Sequence, residues 1–591
     1  MPRSKQAVLG LSFDYHDAAA ALVVDGEVVA AAQEERFSRV KNDASYPRRA
    51  VEFCLNQAQV KPADLAAVIF YEKPVRKLER IVTHSLAHWP RSSNYLWDTI
   101  RTWAMLRKHD VDSRISEELG IPRSRVSFID HHLSHAASAF CCSPYDEATV
   151  VTVDGVGEYE TCTISHATEK SIVKLASTST PHSIGLLYSA VTAYLGFRVN
   201  EDEYKVMGMA GFGVPRHVDF FKSLIELKPD GSFTLKQDYF NFSFPQAVPY
   251  TPKLAEVFGE PRVYDSPFVL KSTGPGDEAI VRRNQHYADI AASLQRSVED
   301  FMLELCSYAL KRTGIPVLCM AGGVALNGLA NGRIKRELGC KLYVQPAAGD
   351  AGGALGAALY HSQYGLNIAS RKPLLHSYLG SSFSEEAILR AAEELALKPT
   401  VKFKSEKELV DTTVGLLGQS KVIGWCQGRF EWGPRALGAR SILANPQHPE
   451  MQAIVNEKIK FREPFRPFAP AVVAEEALRY FDFDRVDSPV DPEYFMLSVC
   501  KVRPEYARRL PAITHVDGTG RVQLVSPESN PLYYQLIKEF GRLHEIPILL
   551  NTSFNLRGEP IVNSPKDAMK TYCWCDMDGL VVGNYLFEKK A

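Results

Sequence analysis

Near the N-terminus, apolar runs alternate with polar turn residues in a pattern that predicts an antiparallel β-meander. The runs at 8–13, 18–24 and 28–32 are each long enough for a strand, and Asp25-Gly26 before the last run is typical of a tight hairpin. The pattern recurs at 148–164, where a β-branched strand ends in Asp154-Gly155 and a second strand follows. The repetition predicts an α/β protein with two similar halves.

Helical periodicity predicts the elements that cover these strands. A helix is expected at 48–57, directly after Pro47, and a long amphipathic helix at 285–312. Residues 75–109 are rich in Trp, Leu and Arg at helical spacing, which predicts a helical insertion. Two meander halves of this kind suggest the duplicated fold of actin and sugar kinases, which holds a nucleotide between its halves.

The densest group of histidines follows Asp130. The stretch after it predicts a helix with Asp130 as its N-cap, so that His131 and His135 lie on one face. These imidazoles, with the carboxylate of Asp154 exposed on a glycine turn, suit Fe, Zn or Mn better than Ca or Mg. The alternative is that one histidine caps the helix and the other packs in the core. A metalloprotease is disfavoured, because position 132 is His where an HExxH helix needs glutamate.

Two further turns place small residues beside candidate ligands. A buried strand at 315–320 runs into Gly322-Gly323, and backbone N–H groups there can approach a phosphate or a ribose. A plain strand-to-helix turn would have the same sequence. Asp350 stands among Ala and Gly residues, where it could complete a two-His, two-Asp site or cap the helix predicted at 351–360.

A change of composition between 365 and 385 predicts a domain boundary that divides the chain into residues 1–368 and 369–591. In the second part, residues 424–441 hold three arginines and four glycines around one acid, and residues 458–468 interleave cations with proline and aromatic residues. Polar turns follow at 515–521 and 551–555. Guanidinium groups bind phosphate oxygens in pairs and glycines allow close approach, so these segments predict a shared anion pocket.

Composition excludes several classes of function. Lys plus Arg number 68 against 69 Asp plus Glu, so no global field would attract nucleic acid or an anionic membrane. The first apolar run is too short for a signal peptide and no run is long enough to span a bilayer, so a cytoplasmic protein is expected. The eleven cysteines contain no CxxC pair and are expected to be buried thiols in a reducing compartment.

Nine motifs, in order from about residue 8 to residue 585, resemble one family. They are His16-Asp17-Ala18, 130–135, Asp154-Gly155, 203–208, 322–327, 348–353, 431–443, 462–470 and 551–555. Together they resemble the O-carbamoyltransferases, the family of nodulation protein U and of the cephalosporin and tobramycin carbamoyltransferases.

The resemblance implies a duplicated actin-like ATPase domain of the ASKHA class, similar to the ATPase that makes threonylcarbamoyl adenosine on tRNA, followed by a YrdC-like α/β domain. It implies that the C-terminal domain turns carbamoyl phosphate and ATP into carbamoyl adenylate. The N-terminal domain would then transfer the carbamoyl group to a hydroxyl of a small natural product or sugar. The implied cofactors are ATP with magnesium and a divalent metal, iron(II) ahead of manganese or zinc. The oligomeric state stays open, with a homodimer as one option.

Matching positions carry over as implied site residues. The implied metal ligands are His131, His135, Asp154 and Asp350. The implied contacts to adenosine or phosphate are Glu203, Lys205, Gly322, Gly323 and Asn327. The implied contacts to carbamoyl phosphate and the triphosphate are Arg435, Lys460, Arg466, Arg521, Asn551 and Ser553, the first three of them catalytic. His16 is implied to lie beside the transferred carbamoyl group, where it either accepts the proton of the acceptor or orients the group.

Two other functions compete with this interpretation. A nucleotide-binding regulatory protein that has lost turnover would need one of these sites to be broken in sequence, and none is visibly broken. A small-molecule kinase on the actin-like fold would leave the C-terminal cations without a task. Residues 215–285 match no pattern of the family and are expected to shape the acceptor pocket, so the acceptor stays open.

Overall fold

The computed structural model describes residues 5–242, 248–271, 277–368, 371–463, 466–483 and 485–589. The chain forms two compact units. Unit 1 comprises Met1–Glu34 and Ala44–Leu374, and unit 2 comprises Glu35–Asp43 and Leu375–Ala591. Residue 369, at which the second predicted domain begins, lies outside the described ranges, and the two units divide between Leu374 and Leu375. The sequence did not predict that a segment from the N-terminal region would be part of unit 2.

Twenty-three strands are present in the described residues. In unit 1 they are β1 (Ala7–Ser12), β2 (Ala19–Val24), β3 (Glu27–Gln33), β4 (Leu65–Phe70), β5 (Val126–Phe128), β6 (Glu147–Val153), β7 (Glu160–Thr168), β8 (Ile172–Ser179), β9 (Ile225–Leu227), β10 (Phe233–Leu235), β11 (Val317–Ala321) and β12 (Lys341–Val344). In unit 2 they are β13 (Val401–Lys402), β14 (Ile423–Cys426), β15 (Arg440–Ala444), β16 (Ala469–Val473), β17 (Phe481–Asp482), β18 (Cys500–Val502), β19 (Thr519–Gly520), β20 (Gln523–Val525), β21 (Ile548–Ser553), β22 (Gly579–Val582) and β23 (Tyr585–Glu588).

The α-helices of the described residues begin with a single turn that is part of unit 2, α1 (Glu35–Ser38). Those of unit 1 are α2 (Arg48–Ala58), α3 (Pro74–Ala87), α4 (Ser93–Met105), α5 (Val111–Leu119), α6 (His131–Phe140), α7 (Ile184–Tyr194), α8 (Glu203–Ala210), α9 (Val218–Leu224), α10 (Pro252–Phe258), α11 (Glu278–Thr313), α12 (Gly328–Leu338) and α13 (Asp350–Tyr360). Those of unit 2 continue with α14 (Glu385–Glu394), α15 (Glu406–Gly418), α16 (Met451–Ile454), α17 (Ala477–Tyr480), α18 (Pro504–Ala507), α19 (Pro531–His544) and α20 (Pro565–Trp574).

Unit 1 contains two five-stranded sheets with the same topology. The first has the order β3-β2-β1-β4-β5, in which β1 to β3 are antiparallel and β4 and β5 continue parallel to β1. The second has the equivalent order β8-β7-β6-β11-β12, with the same directions. Unit 1 therefore contains one topology twice, and both predicted meanders are confirmed.

Unit 2 is built on a mixed eight-stranded sheet with the order β13-β23-β22-β14-β15-β21-β16-β20. Successive residues of a strand point to opposite faces, so the sheet serves two hydrophobic cores. Ile442 packs in the core that includes α14 and α20, and its neighbour Leu443 packs in the core that includes α15 and α19. Both faces of the sheet are therefore covered by helices.

Helices α6 and α13 of unit 1 pack at very short distance because small residues face each other. A Cβ atom on Gly356 would lie 1.8 Å from the carbonyl oxygen of Ser134 and 2.8 Å from the amide nitrogen of Ser138. On the other side of α13, a Cβ atom on Gly10 of β1 would lie 1.8 Å from the carbonyl oxygen of Ala354. Helix α13 is thus fixed between α6 and the first sheet.

Several predicted helices are present, but they begin or end at other residues than predicted. The predicted insertion at 75–109 forms α3 and α4, and the long amphipathic helix begins at Glu278, seven residues before the expected start. In the described part of the chain, no helix combines the length and the apolar character needed to cross a bilayer.

Substitution of Gly356 tests the packing of α6 on α13. Gly356→Ala is expected to destabilise unit 1 by about 1–3 kcal/mol, because the new methyl group must displace backbone atoms of α6. Gly415→Ala is a matched control, since Gly415 also lies within a helix but nothing is within 4 Å of its Cβ position. The control should be as stable as the original chain or slightly more stable. Differential scanning calorimetry makes the comparison, and equal melting profiles for the two variants would contradict the close packing.

Candidate functional site

Four side chains from three parts of unit 1 converge on one point. His131 and His135 come from α6, Asp154 directly follows β6, and Asp350 is the first residue of α13. One ligating atom from each lies within 4.8 Å of all the others. The two histidine Nε2 atoms are 3.1 Å apart, and Asp154 Oδ2 is 3.0 Å from Nε2 of His131. Asp350 Oδ1 is 3.7 Å and 3.6 Å from these same nitrogens.

The electrostatics of this cluster favour a cation. Although burial lowers it, the pKa of His135 is raised to about 9 by Asp154 and Asp350. Although burial raises it, the pKa of Asp154 is held well below its usual range by hydrogen bonds from the two histidines. Both carboxylates are therefore ionised and attract positive charge, whether it is the proton on His135 or a bound metal cation.

The donor set fits a divalent transition metal. Two imidazole nitrogens and two carboxylate oxygens are ligands that Fe, Mn and Zn accept. Two Nε2 atoms at 3.1 Å cannot both keep a hydrogen directed at the other, and a shared cation removes that conflict. The structure thus brings together all four residues predicted as metal ligands, while their role and the choice of iron stay predictions.

His16 lies beside this cluster on a strained loop. The backbone is left-handed at Asp14 (φ 77°) and at Asp17 (φ 52°), a conformation that costs energy in residues other than glycine. His16 Nδ1 is 3.0 Å from Asp17 Oδ2, and its Nε2 is 3.8 Å from Asp350 Oδ2. Although burial lowers it, the pKa of His16 is raised to about 9 by Asp350 and Asp17. The guanidinium of Arg114 donates to both carboxylate oxygens of Asp14 and anchors the loop.

The glycine turn after β11 faces Asp154. Gly322 has a φ of 92°, and a Cβ atom there would lie 2.2 Å from the carbonyl oxygen of Val153. The amide of Gly323 donates to Asp154 Oδ1 at 2.8 Å. The amide of Gly323, which was predicted to approach a phosphate or a ribose, therefore holds Asp154, a candidate metal ligand. Contact of the two glycines with a nucleotide stays a prediction.

Asn327, predicted to contact adenosine or phosphate, is the N-cap of α12. Its Oδ1 accepts from the amide of Ala330 at 3.2 Å and from Nε2 of Gln295 at 3.0 Å. Its Nδ2 donates to Gln295 Oε1 at 3.1 Å, and the hydroxyl of Tyr188 donates to the same oxygen. The side chain is thus engaged in structural bonds that a nucleotide would have to share.

Glu203 and Lys205 lie at the start of α8 and are also engaged. Glu203 Oε1 accepts from the hydroxyl of Ser189 and from the amide of Asn200, both at 2.8 Å. The ammonium of Lys205 is 3.0 Å from Asp202 Oδ1. The structure places both residues on the same helix turn and does not bring them into the two-His, two-Asp cluster.

Unit 2 contains a cluster of five cations, which we call the cation cluster: Arg435, Lys460, Arg462, Arg466 and Arg521. Burial lowers the pKa of Arg521 well below its usual range, and the neighbouring charges of Arg435, Arg462 and Arg466 lower it further. Burial likewise lowers the pKa of Lys460, with added repulsion from Arg462 and Arg466. Mutual repulsion of this kind is relieved when an anion binds. Four of these five residues were predicted, and Arg462 is an addition.

The turn at 551–555 is joined to this cation cluster. Lys460 Nζ donates to the carbonyl oxygens of Ser553 and Asn555 at 2.7 Å and 2.8 Å, and lies 3.3 Å from the Ser553 hydroxyl. Asn551 Nδ2 donates to the carbonyl oxygen of Ala436, the residue after Arg435, at 3.2 Å. Both predicted residues of the turn therefore contact the segments that carry the cations.

Asp130 was predicted to cap α6, but its side chain makes no capping hydrogen bond to the helix. Asp130 occupies the N-cap position of α6, but its carboxylate is paired with the ammonium of Lys73 at 2.8 Å. Glu158 takes over the cap, because both of its carboxylate oxygens accept from the amide of His131 at 3.1 Å. Glu158 stands 27 residues further along the chain, so no local capping pattern could have identified it.

Comparison with known proteins gives a consistent result over most of the chain. The family model described as carbamoyltransferase N-terminus matches residues 7–359, and the model described as carbamoyltransferase C-terminus matches residues 414–589. The chain is 41% identical to the uncharacterized protein sll1178 of Synechocystis sp., over 99% of this chain and 97% of that protein. It is 36% identical to nodulation protein NolNO of Sinorhizobium fredii, over 98% of this chain and 79% of that protein. It is 26% identical to nodulation protein U of Rhizobium tropici, over 97% of this chain and 95% of that protein.

Removal of one imidazole tests the metal site. His135→Ala is expected to lower the affinity for Fe(II), Mn(II) or Zn(II) by at least about tenfold, the loss caused by changing even an outer-shell partner. His166→Ala is the control, since His166 lies on β7 and pairs with Glu147. Equilibrium dialysis with elemental analysis measures both variants. Unchanged metal binding by His135→Ala would show that His135 is not a ligand.

Proposed function

Because the chain belongs to the carbamoyltransferase family, we propose that it is an ATP-dependent O-carbamoyltransferase. Unit 2, which we propose to be YrdC-like, would make carbamoyl adenylate from carbamoyl phosphate and ATP. Unit 1 would pass the carbamoyl group to a hydroxyl of a small natural product or sugar. The observation that carries the proposal is the cation cluster of unit 2, because five cationic side chains gathered in one place suit two phosphate-bearing substrates.

The donor half of the reaction explains the need for positive charge. Water splits carbamoyl phosphate into carbamate and phosphate, and a carbamate oxygen then attacks the α-phosphorus of ATP, from which pyrophosphate leaves. Negative charge builds up on each leaving group in its transition state. Guanidinium groups that the fold already holds in place stabilise that charge without rearrangement. Burial and the neighbouring arginines lower the pKa of Arg521, and an anion bound there would relieve the repulsion from those arginines.

The transfer half would take place in unit 1. The acceptor oxygen attacks the carbamoyl carbon of the adenylate, AMP leaves, and the hydroxyl proton must be accepted. A divalent metal held by His131, His135, Asp154 and Asp350 would act there as a Lewis acid, and ATP would bring magnesium to unit 2. Iron(II) is the metal we propose first.

His16 is the group we propose to act on the carbamoyl or the acceptor. With a pKa of about 9, it is protonated at neutral pH in the chain alone and can donate a hydrogen bond to the carbamoyl oxygen. A cation bound next to Asp350 lowers that pKa, since it cancels the charge that raises it. Under that condition the imidazole can accept the proton of the acceptor.

Loss of one arginine tests the assignment of unit 2. Arg435→Ala is expected to lower the carbamoyl-phosphate-dependent release of pyrophosphate from ATP by about a hundredfold, the usual effect of removing one transition-state donor. Arg479→Ala is the control, because the side chain of Arg479 is 62% exposed and pairs with Glu476. A coupled pyrophosphate assay gives the rates, and an equal rate for Arg435→Ala and the original chain would contradict the assignment.

The same assay separates the competing functions. A small-molecule kinase would phosphorylate alcohols with ATP alone, and a regulatory protein would bind ATP without releasing pyrophosphate. For the acceptor, a pool of hydroxylated metabolites should yield a product with a carbamoyl mass gain in mass spectrometry.

A further inference from the structure

The segment Glu35–Asp43 is part of unit 2, although the residues on both sides of it, β3 and α2, are part of unit 1. Its single helical turn, α1, carries Arg36, whose side chain is only 1% exposed. A guanidinium is rarely buried to this degree unless the fold uses its hydrogen bonds. The contacts of Arg36 therefore indicate what the segment does.

Arg36 binds the backbone of the loop that precedes Arg435. Its Nη2 donates to the carbonyl oxygen of Gly433 at 2.8 Å, and its guanidinium lies 5.6 Å from the ring centroid of Phe430. Gly433 has a φ of 105°, so the chain makes a turn there that side chains other than glycine rarely allow. Arg36 thus binds the carbonyl oxygen of Gly433, the residue at which this turn is made.

The remainder of the segment keeps Arg36 in place. Phe37 packs edge-on against Phe430 with 6.1 Å between ring centroids. The guanidinium of Arg39 donates to the carbonyl oxygens of Pro560 and Ile561 at 2.9 Å and 2.6 Å. These contacts are all within unit 2, so the segment is an integral element of that unit.

The other end of the same loop is fixed by a buried acid. Glu431 is 0% exposed, and its Oε1 accepts from the amides of Leu437, Ala439 and Arg440 at 2.8 Å, 2.7 Å and 3.1 Å. Hydrogen bonds therefore hold the loop before and after Arg435: at the carbonyl of Gly433 on one side, and at the carbonyl of Ala436 and the amides from Leu437 onward on the other. Arg435 lies between them.

We infer that Arg36 is a positioning residue that holds the carbonyl of Gly433 and thereby fixes the loop that presents Arg435 to the phosphate of the carbamoyl donor. The inference rests on the proposed function of unit 2. It assigns to the donor site a residue that precedes it by 397 positions along the chain and touches no substrate.

A purely structural role explains the burial of Arg36 less well. Burial lowers the pKa of Arg36, and within the described residues its Nε and Nη1 have no hydrogen-bond partner. An apolar side chain of similar volume would fill the same space without this desolvation. The nitrogen that does donate, Nη2, binds the carbonyl oxygen of Gly433, two residues before Arg435.

The experiment compares kinetic constants for carbamoyl phosphate. Arg36→Met keeps the volume of the side chain but removes its charge and donors, and we expect KM for carbamoyl phosphate in pyrophosphate release to rise about tenfold or more. Arg36→Lys keeps the charge and one donor and should restore part of the loss. Metal content should stay unchanged in both, since the proposed ligands lie in unit 1.

A double-mutant cycle shows whether Arg36 acts through Arg435. If it does, Arg36→Met should add little to the effect of Arg435→Ala. If the effects of Arg36→Met and Arg435→Ala multiply instead, the inference is overturned. It is also overturned if Arg36→Met lowers the melting temperature and leaves KM unchanged. Should Arg36→Met fail to fold, the KM of Arg36→Lys decides: a rise supports the positioning role, and the value of the original chain contradicts it.

Two further measurements separate this inference from the proposed function. Arg48→Ala controls for loss of an arginine in the N-terminal region, since Arg48 is 62% exposed and pairs with Glu118. If the original chain releases no pyrophosphate, the proposed function fails, and calorimetry with inorganic phosphate replaces the kinetic assay. Weaker phosphate binding by Arg36→Met would then support the positioning role, and equal binding would refute it.

Discussion

The constraint on which the two-His, two-Asp cluster depends is the absence of a side chain at Gly356. Helix α13 can approach α6 only because no Cβ stands between its backbone and the carbonyl oxygen of Ser134. Side chains at the start of each helix then lie within ligand distance of one another, although Asp350 is more than 200 residues from His131 along the chain. Metal ligands tolerate only small displacements, so contact between two backbones positions them better than contact between flexible side chains.

Both clusters hold ionisable side chains close together in buried positions. In unit 1 the carboxylates of Asp154 and Asp350 lie beside two imidazoles, and in unit 2 burial and the neighbouring cations lower the pKa of Arg521 and Lys460. Such arrangements lower the stability of the free protein, and the rest of the fold must compensate for them. In unit 2 the binding of an anion would relieve the repulsion among the cations.

Local patterns predicted the meanders, the helix of His131 and His135, and the turn that carries Asp154, because each depends on neighbours within a few residues. The residues around Asp350 also suggested it as a fourth ligand, and the cation-rich segments suggested a shared anion pocket; the family resemblance then implied a role for each residue. What was missed depends on long-range partners. Arg114 anchors the His16 loop from 100 residues away, and Glu158 replaces the expected cap of α6. No periodicity or turn signal marks such residues, since their partners are chosen only when the chain has folded.

The assignment of Glu35–Asp43 to unit 2 has a consequence for biosynthesis. The segment leaves the ribosome early, but the loop that Arg36 binds is translated 397 residues later. Until then, Arg36, Phe37 and Arg39 have to remain exposed between β3 and α2, which can already form. Closing so long a loop is slow, so unit 2 is completed only after the whole chain has been made. A polypeptide cut anywhere between the two segments cannot bring Arg36 to the carbonyl of Gly433 within one chain.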